Sequence, residues 1–237
     1  MRLLIAMMIL GLTVSSFPFS AKACPSGQDS VKLAKEIVSG WDNAQTSPSI
    51  VDYVSFFQSS DNPNQCIVLV SLTDQGLCHA CGATISILEF SASGKEWKRT
   101  FEQRDALNMG SFGKAPEAAL LQLGKSGSAL QFQLGGMHFG YVDNGLILVA
   151  KIDGQYKEVL QLQTHHDNSG SGEDEAWKWD AKTEFVEGNA KFPDIRVSYN
   201  GTEKRNEKIE PVSRIETYRF SDGQYKQVAP GPAPSHK

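Results

Sequence analysis

The sequence predicts a mainly β fold, in which antiparallel hairpins or a meander form a β-sandwich or a propeller-like arrangement after a short helical segment. Two observations support this prediction. Residues 65–100 follow the order strand, cysteine-bearing turn, strand, glycine turn, strand. The second is a pattern that occurs three times from residue 90 onward. It consists of an apolar strand, a polar turn with glycine, and an aromatic residue followed by lysine.

The first 23 residues have the pattern of an export signal. Arg2 provides a positive start, residues 3–14 are apolar, and Ala21 and Ala23 place small residues before a cleavage point. Cleavage there makes Cys24 the first mature residue. A lipoprotein signal normally has a branched aliphatic residue where Ala21 stands, so we expect an unlipidated protein that is periplasmic or secreted.

The charge of the mature chain limits the classes of partner. Of 23 basic and 27 acidic residues, the signal removes two basic ones, which changes the formal charge from −4 to −6. No basic cluster is present, so nucleic acid is not an expected partner. No later segment has the apolar length of a membrane helix, so no membrane span is expected in the mature chain.

We expect a single mainly β domain over residues 24–229, followed by a flexible proline-rich tail over residues 230–237. A helical lead-in occupies about residues 29–58. Its first part, residues 31–41, has helical spacing of apolar residues after a cap at Asp29 or Ser30; these are Val31, Leu33, Ala34, Ile37, Val38 and Trp41. Residues 49–58 are rich in β-branched and aromatic side chains, and they fit a helix or a strand.

From Cys66 onward the pattern indicates strands. Residues 66–72 form an apolar run, and residues 84–90 place Ile85 and Ile87 on one face. Further strands are predicted at residues 129–134, 146–150, 158–163, 177–186 and 194–199.

Three polar turns resemble one another, at residues 90–98, 152–157 and 220–226, and the last two share Asp-Gly-Gln-Tyr-Lys. Asp-Gly between strands is a strong hairpin signal, because glycine accepts the positive φ of a tight turn. The copies lie about sixty residues apart, which is room for a four-stranded unit each time. Both an internal repeat and ordinary hairpin chemistry used three times remain open.

The chain has four cysteines, Cys24, Cys66, Cys78 and Cys81, and in an exported protein four cysteines indicate two disulfides. Three connectivities are possible. We favour Cys24–Cys66, which ties the N-terminus to the first apolar strand, together with Cys78–Cys81 inside one turn.

The Cys78-His79-Ala80-Cys81 turn also has a functional interpretation. A thiol-redox site needs its first cysteine at a helix N-terminus, whereas here Gly82 leads into a predicted strand. A metal site formed by Cys78, His79 and Cys81 is chemically possible, but the second ligand pair that makes such a motif specific is missing. A structural disulfide is therefore favoured.

Residues 164–175 are the most polar stretch. His165, His166 and Asp167 are candidate metal ligands, and a cation is the alternative ligand, with Asp167, Asn168, Glu173 and Asp174 as its oxygen donors. The spacing of an EF-hand is absent. The stretch is therefore predicted to be a solvated loop between a strand that ends at Gln163 and one that begins near Trp177.

No catalytic motif occurs with the context that it requires, so a non-enzymatic binding protein is the leading hypothesis. Its expected partner is an envelope protein or a saccharide, and its candidate contact residues are the aromatics Tyr141, Trp177 and Trp179. The alternative is a thiol-redox or metal-binding protein centred on Cys78-x-x-Cys81. A hydrolase that uses His138, His165, His166 or Asp167 ranks last. No cofactor is expected.

Overall fold

The computed structural model describes residue 24 and residues 28–39, 41, 50–59, 62–73, 81–94, 96–124, 127–173, 175–187 and 192–228. The predicted export signal and the proline-rich tail lie outside the described residues, as do Cys78, His79 and Asp174. The described chain is mainly β, as predicted, with one short helix and two antiparallel sheets. This helix does not reach the length and apolarity that crossing a membrane requires.

The described elements follow one another in a simple order along the chain. They are α1 (Gln28–Ser39), β1 (Ile50–Gln58), β2 (Gln65–Thr73), β3 (Ala83–Ser93), β4 (Glu96–Met109), β5 (Glu117–Leu123), β6 (Gly127–His138), β7 (Tyr141–Ile152), β8 (Gln155–Asp167), β9 (Lys178–Val186), β10 (Asp194–Arg205), β11 (Lys208–Ser221) and β12 (Gln224–Val228).

The strands pair in sequence order as meanders. Strands β1–β4 form one sheet, the first meander, and β5–β12 form a second sheet of eight strands. Within the second sheet, β8 and β9 are joined by only three residue pairs, at residues 165–167 of β8. We therefore treat β5–β8 as the second meander and β9–β12 as the third.

The three meanders stack face to face, with the second in the middle. One core lies between the first and second meanders, and a second core lies between the second and third. Alternate residues of β7 face the two cores: Leu146 and Leu148 contribute to the core with the third meander, and Ile147 and Val149 to the core with the first. This explains the unbroken apolar run of β7, since a strand with both faces buried does not alternate with polar residues.

The helix covers the outer face of the first meander. Ile37 and Val38 pack there against a core that includes Cys66 and Val68. The helix begins at Gln28 and ends at Ser39, so the prediction of a helix from 31 to 41 was wrong at both ends, and the expected cap residues lie inside it. Beyond its end, the backbone N–H of Trp41 donates to the carbonyl of Val38.

The remainder of the predicted helical lead-in, up to residue 58, contains a strand: β1 runs through Ile50–Gln58. Its β-branched and aromatic residues favour an extended backbone, and pairing with β2 supplies hydrogen bonds along most of its length. Strand β5 was not predicted at all. Its central residues, 118–121, are alanines and leucines, which have high helix propensity, and its pairing with β6 overrides that preference.

Each of the three similar turns joins the third and fourth strands of a meander, at β3–β4, β7–β8 and β11–β12. In the last two, Asp153 and Gly154 have φ angles of 50° and 81°, and Asp222 and Gly223 have φ angles of 52° and 83°. Positive φ at both central residues is the geometry of a type I′ hairpin, which Asp-Gly accommodates well. The turn motif therefore marks the same place in three consecutive four-stranded units.

A partly buried ion pair connects the first two meanders. The Nζ of Lys151 lies 2.9 Å from both carboxylate oxygens of Glu89. The hydroxyl of Tyr156 donates to the same carboxylate at 2.8 Å, and the side-chain amide of Gln65 donates at 3.1 Å. Burial, together with the negative charge of Glu89, raises the pKa of Tyr156, so its hydroxyl remains a donor.

Candidate functional site

A cavity of about 1050 Å³ opens between the end of β4, the connection from β4 to β5, and the ends of β6, β7 and β8. We call it the groove. Its polar walls are formed mainly by Asn108, Gln133, Asp143, Asn144, Gln161 and Gln163. Because these residues come from four different strands, the groove is a product of the stacking of the meanders.

Glycines keep the groove open. Gly135 of β6 and Gly145 of β7 line it; in the register of these two strands Gly135 is opposite Asn144 and Gly145 is opposite Leu134. Opposite Asn144 and Gly145, β8 carries one extra residue, Thr164, which forms a β-bulge. A side chain at Gly145 would place its Cβ 2.9 Å from the carbonyl oxygen of Leu162. A bulge bends the strand and re-aims the neighbouring side chains, so it gives the groove its polar end.

Four of the groove amides are available for a ligand. Among the described residues, the side chains of Asn108, Gln133, Asn144 and Gln161 have no hydrogen-bond partner, and all four are exposed. A primary amide carries two N–H donors and an acceptor oxygen. The groove thus presents several donors and acceptors that a bound molecule can use without breaking an internal hydrogen bond.

The fifth amide is engaged in a polar cluster at the end of the groove. The side-chain amide of Gln163 donates to the carboxylate of Asp143, and the Nδ1 of His166 is in hydrogen-bond contact with the same oxygen. Asp143 is therefore held by two neighbours on β8. It connects the groove to the aromatic residues behind it.

Those aromatic residues form a cluster at the junction of β7, β8 and β9. The His166 ring stacks on Trp177 with centroids 4.6 Å apart and lies 6.3 Å from the nearly parallel ring of Trp179. Tyr141 lies 5.9 Å from His166 on another side. In the described chain, the Nε2 of His166 and the Nε1 of Trp177 are buried without a hydrogen-bond partner.

The structure brings together most of the residues that the sequence singled out. Tyr141, His165, His166, Asp167, Trp177 and Trp179 all lie at this junction. Trp179, however, is only 8% exposed and belongs to the core between the second and third meanders, whereas Tyr141 and Trp177 are half-buried. Trp179 therefore supports the fold and does not offer the open aromatic face that was expected.

The predicted loop at residues 164–175 is shorter than expected, because β8 continues through Asp167. The prediction that the strand ends at Gln163 was wrong. His165 and His166 lie within the strand, where they pair with Asp180 and Trp179 of β9. The Nδ1 of His165 is 2.7 Å from the carboxylate of Asp180. In the described part of the chain, residues 165–167 make the cross-strand pairs that join β8 to β9, which explains why these polar residues lie in a strand.

The carboxylates near this loop have protein partners. Asn168, only 1% exposed, donates to Glu173 at 3.2 Å and accepts from the backbone N–H of Trp177 at 2.6 Å. The hydrogen bond from Tyr141 lowers the pKa of Glu173, and Lys204 lies 3.5 Å from it. The backbone N–H of Ser169 lowers the pKa of Asp167. Among the described residues, no group of three metal-ligating side chains converges.

Cys24 and Cys66 form a disulfide, with Cα atoms 5.8 Å apart. Cys81 is also disulfide-bonded, and Cys78, its expected partner, lies outside the described residues. Gly82 follows Cys81 and leads directly into β3. The carbonyl of Cys81 accepts from the backbone N–H of Gly113 at 2.8 Å, so this end of β3 supports the connection that forms one wall of the groove.

The histidines are not arranged with a nucleophile. His138 lies near the β6–β7 turn, edge-on to Phe139, with centroids 4.1 Å apart. The described hydrogen bonds of His165 and His166 lead to carboxylates and to Gln163, and none leads to a hydroxyl or thiol. A hydrolase based on these histidines thus has no described nucleophile beside its base.

Two exposed phenylalanines near the groove were missed. Phe112, in the groove wall, is 50% exposed with a φ of 54°, and Phe139, at the β6–β7 turn, is 82% exposed with a φ of 49°. Positive φ is unfavourable for phenylalanine. The sequence signal was available: each phenylalanine directly precedes a glycine in a turn, where Asn-Gly or Asp-Gly is the usual pair.

No known protein family matches the chain, and neither a curated protein nor a solved structure was found to be similar to it. The chemistry of the groove and of the aromatic cluster is therefore the basis for a functional proposal.

Proposed function

We propose that this chain is an exported binding protein, periplasmic or secreted and without catalytic activity, that holds its ligand in the groove. Its partner is a saccharide or an envelope protein. Export is supported by the signal pattern of residues 1–23 and by the disulfide between Cys24 and Cys66. Disulfides persist in oxidising compartments outside the cytoplasm.

The groove is the observation that carries this proposal. A volume of about 1050 Å³ is at the upper end of the range for small-ligand sites, which are concave and carry a few convergent polar groups. Here the convergent groups are four exposed amides without internal partners, and they come from β4, β6, β7 and β8. The backbone of these strands is fixed by pairing before a ligand arrives, so binding has to order only the side chains.

The engagement of Asp143 supports binding over catalysis. Its carboxylate is occupied by Gln163 and His166, and in the described chain neither histidine of the junction has a nucleophile beside it. The cluster therefore fits a role in holding the end of the groove in a fixed shape.

The alternative, a thiol-redox or metal-binding protein centred on Cys78-x-x-Cys81, gains no support from the described residues. Cys81 is oxidised and precedes a strand, whereas a reactive cysteine needs a positive environment such as a helix N-terminus. His79 and Cys78 lie outside the described residues.

The test is ligand screening by NMR with the ¹⁵N-labelled mature protein against two panels: oligosaccharides of two to six units, and tripeptides. A groove variant carries Gln133→Leu, Asn144→Leu and Gln161→Leu. A matched control carries Gln155→Leu, Gln224→Leu and Gln227→Leu, which are exposed glutamines away from the groove.

We expect at least one probe to shift groove resonances, to bind the control variant normally and to lose its binding to the groove variant. Absence of binding from both panels at millimolar concentration would contradict the proposal. Binding that the groove variant retains would contradict it as well.

A further inference from the structure

The charge of the groove favours a neutral ligand. Asp143 and Glu158 line it, against the single cation Lys114 among its described lining residues. The mature chain is acidic as a whole. An anionic ligand such as a nucleotide or a uronic acid polymer would meet net repulsion, and its charge would lack the arginine or lysine cluster that phosphate and carboxylate groups require.

The amides favour a ligand that is rich in hydroxyl groups. A hydroxyl both donates and accepts a hydrogen bond, as a primary amide does. Each of the four amides can therefore act as donor or as acceptor toward a hydroxyl; they are Asn108, Gln133, Asn144 and Gln161. In the described chain these four side chains have no internal partner to give up. An apolar ligand would instead bury them unsatisfied, which costs free energy.

The groove also has an apolar side that a fully polar ligand would not use. Phe112 forms part of its wall and is half exposed. The groove ends at the pair Gly136–Asp143, and beyond it lie Met137 near the end of β6 and Phe139 in the turn, which are 76% and 82% exposed. Aromatic faces are electron-rich and attract the C–H groups of a sugar ring, whose two faces are apolar while its rim carries hydroxyls.

The backbone of both phenylalanines is strained, and this favours contact with a ligand. A non-glycine residue with positive φ costs on the order of 1 kcal/mol or more, and such residues concentrate at ligand contacts. Phe112 and Phe139 both have this conformation, and neither is buried in a core. Both rings are therefore placed where a ligand can reach them.

An extended peptide fits the groove less well. Peptides that bind to sheets add a strand to a free edge. Strand β7, which carries Asn144, is paired on both sides, whereas β6 pairs with both neighbours only up to Gln133 and with β7 alone beyond it. The backbone of β7 is therefore not open to a peptide, and the open edge of β6 in the groove is only the short stretch at residues 134–136.

From these observations, and resting on the proposed binding function, we infer that the ligand is a neutral oligosaccharide. The amides of Asn108, Gln133, Asn144 and Gln161 bind its hydroxyls, and Phe112 stacks on a ring face. Phe139 extends the apolar contact beyond the open end of the groove.

The experiment is isothermal titration of the mature protein with cello-, xylo-, malto- and chito-oligosaccharides of two to six units. Oligogalacturonates serve as the anionic comparison and neutral tripeptides as the peptide comparison. We expect one neutral series to bind and its anionic counterpart to bind at least about tenfold more weakly. Loss of ring stacking in Phe112→Ala should weaken binding about tenfold.

Two variants test the stacking itself. Phe112→Tyr keeps an aromatic face and should retain the affinity, while Phe185→Ala removes an exposed phenylalanine of β9 and should leave it unchanged. Phe112→Ala that binds as tightly as the wild type would overturn the inference, as would equal affinity for oligogalacturonates.

The outcomes separate this inference from the function on which it rests. If tripeptides bind and the groove variant abolishes that binding, while no saccharide binds, the saccharide inference is wrong and the groove remains the binding site. If a saccharide binds the groove variant as tightly as the wild type, both are wrong. Binding of neither class also contradicts both.

Discussion

The imidazole of His166 lies nearly parallel to the indole of Trp177, with ring centroids 4.6 Å apart and planes inclined by 15°. His166 belongs to β8 and Trp177 immediately precedes β9, so this stack joins the second meander to the third. The backbone contributes only three residue pairs at the same place. Side-chain stacking is therefore an important part of what holds the two meanders in register.

Replacement of Trp177 by alanine should destabilise this junction. We expect the free energy of unfolding in urea to fall by about 2 kcal/mol, because a half-buried indole and its stacking contact are lost. Trp177→Phe should recover about half of this loss. The matched control is Phe185→Ala in β9. A Trp177→Ala protein as stable as this control would show that the stack contributes nothing.

Among the charged residues of the core, substitution of Glu89 should cause the largest loss of stability. Glu89→Gln leaves the ammonium of Lys151 without its counter-charge in a largely buried site, and we expect a loss of about 3 kcal/mol. The double variant Glu89→Leu, Lys151→Leu should regain much of that loss, because no unpaired charge remains. Glu184→Gln, in an exposed pair with Arg196, should change stability by less than about 0.5 kcal/mol. Urea unfolding of all three measures the difference.

The Cys24–Cys66 disulfide closes a loop with a sequence separation of 42 residues. Restriction of the unfolded chain by such a loop is worth about 4 kcal/mol in the chain-entropy model. The double variant Cys24→Ala, Cys66→Ala should lose a large part of this, seen as a lower midpoint in non-reducing urea. Unchanged stability in that variant would mean that the N-terminal segment is held by its packing alone.

The stability of the third meander should depend on pH through Glu216. Burial raises the pKa of this carboxyl, but hydrogen bonds from Tyr218 and Arg214 outweigh it, and the net effect is a pKa below the ordinary 4.5. A carboxylate with a lowered pKa stabilises the fold above 4.5, and this contribution is lost as the pH falls through the folded-state value.

Glu216→Gln removes the ionisable group and should flatten the fall in stability on acidification below pH 4.5. Urea titrations at a series of pH values measure this slope. Glu184→Gln, in its exposed pair, is the control and should keep the wild-type slope. A Glu216→Gln profile parallel to that of the wild type would rule out this contribution.

Phe139→Asn should stabilise the protein while weakening ligand contact. The change creates Asn-Gly at a turn whose first central residue has a φ of 49°, and asparagine tolerates this conformation better than phenylalanine. We expect a gain of about 1 kcal/mol. The opposite change in a turn of the same type, Asp153→Ala, should be destabilising. No gain in Phe139→Asn would show that the turn is not strained.

The turns and most strands were predictable because their signals are local. Asp153-Gly154 and Asp222-Gly223 form the hairpins that the dipeptides predict, since the positive φ is set by the turn itself. The end of β8 was not predictable in this way. His165 and His166 are polar, and they belong to a strand only because β7 and β9 lie on either side of them.

The groove had no sequence signature. Asn108, Gln133, Asn144 and Gln161 are spread over four strands, and each by itself is an ordinary exposed amide. Only the stacking of two meanders, the glycines and the bulge of β8 opposite Gly145 bring them to one place. The tryptophan expected to be exposed, Trp179, is buried because the third meander folds over the second, which no local pattern reveals.

The middle position of the second meander has a consequence for assembly. A chain that folds from its N-terminus completes this layer before the strands that cover one of its apolar faces are in place. Those last strands are attached by three residue pairs, and two crowded copies can donate them to each other as readily as to themselves. We therefore expect domain-swapped dimers, in which two copies exchange strands β9–β12, as the main form of misassembly.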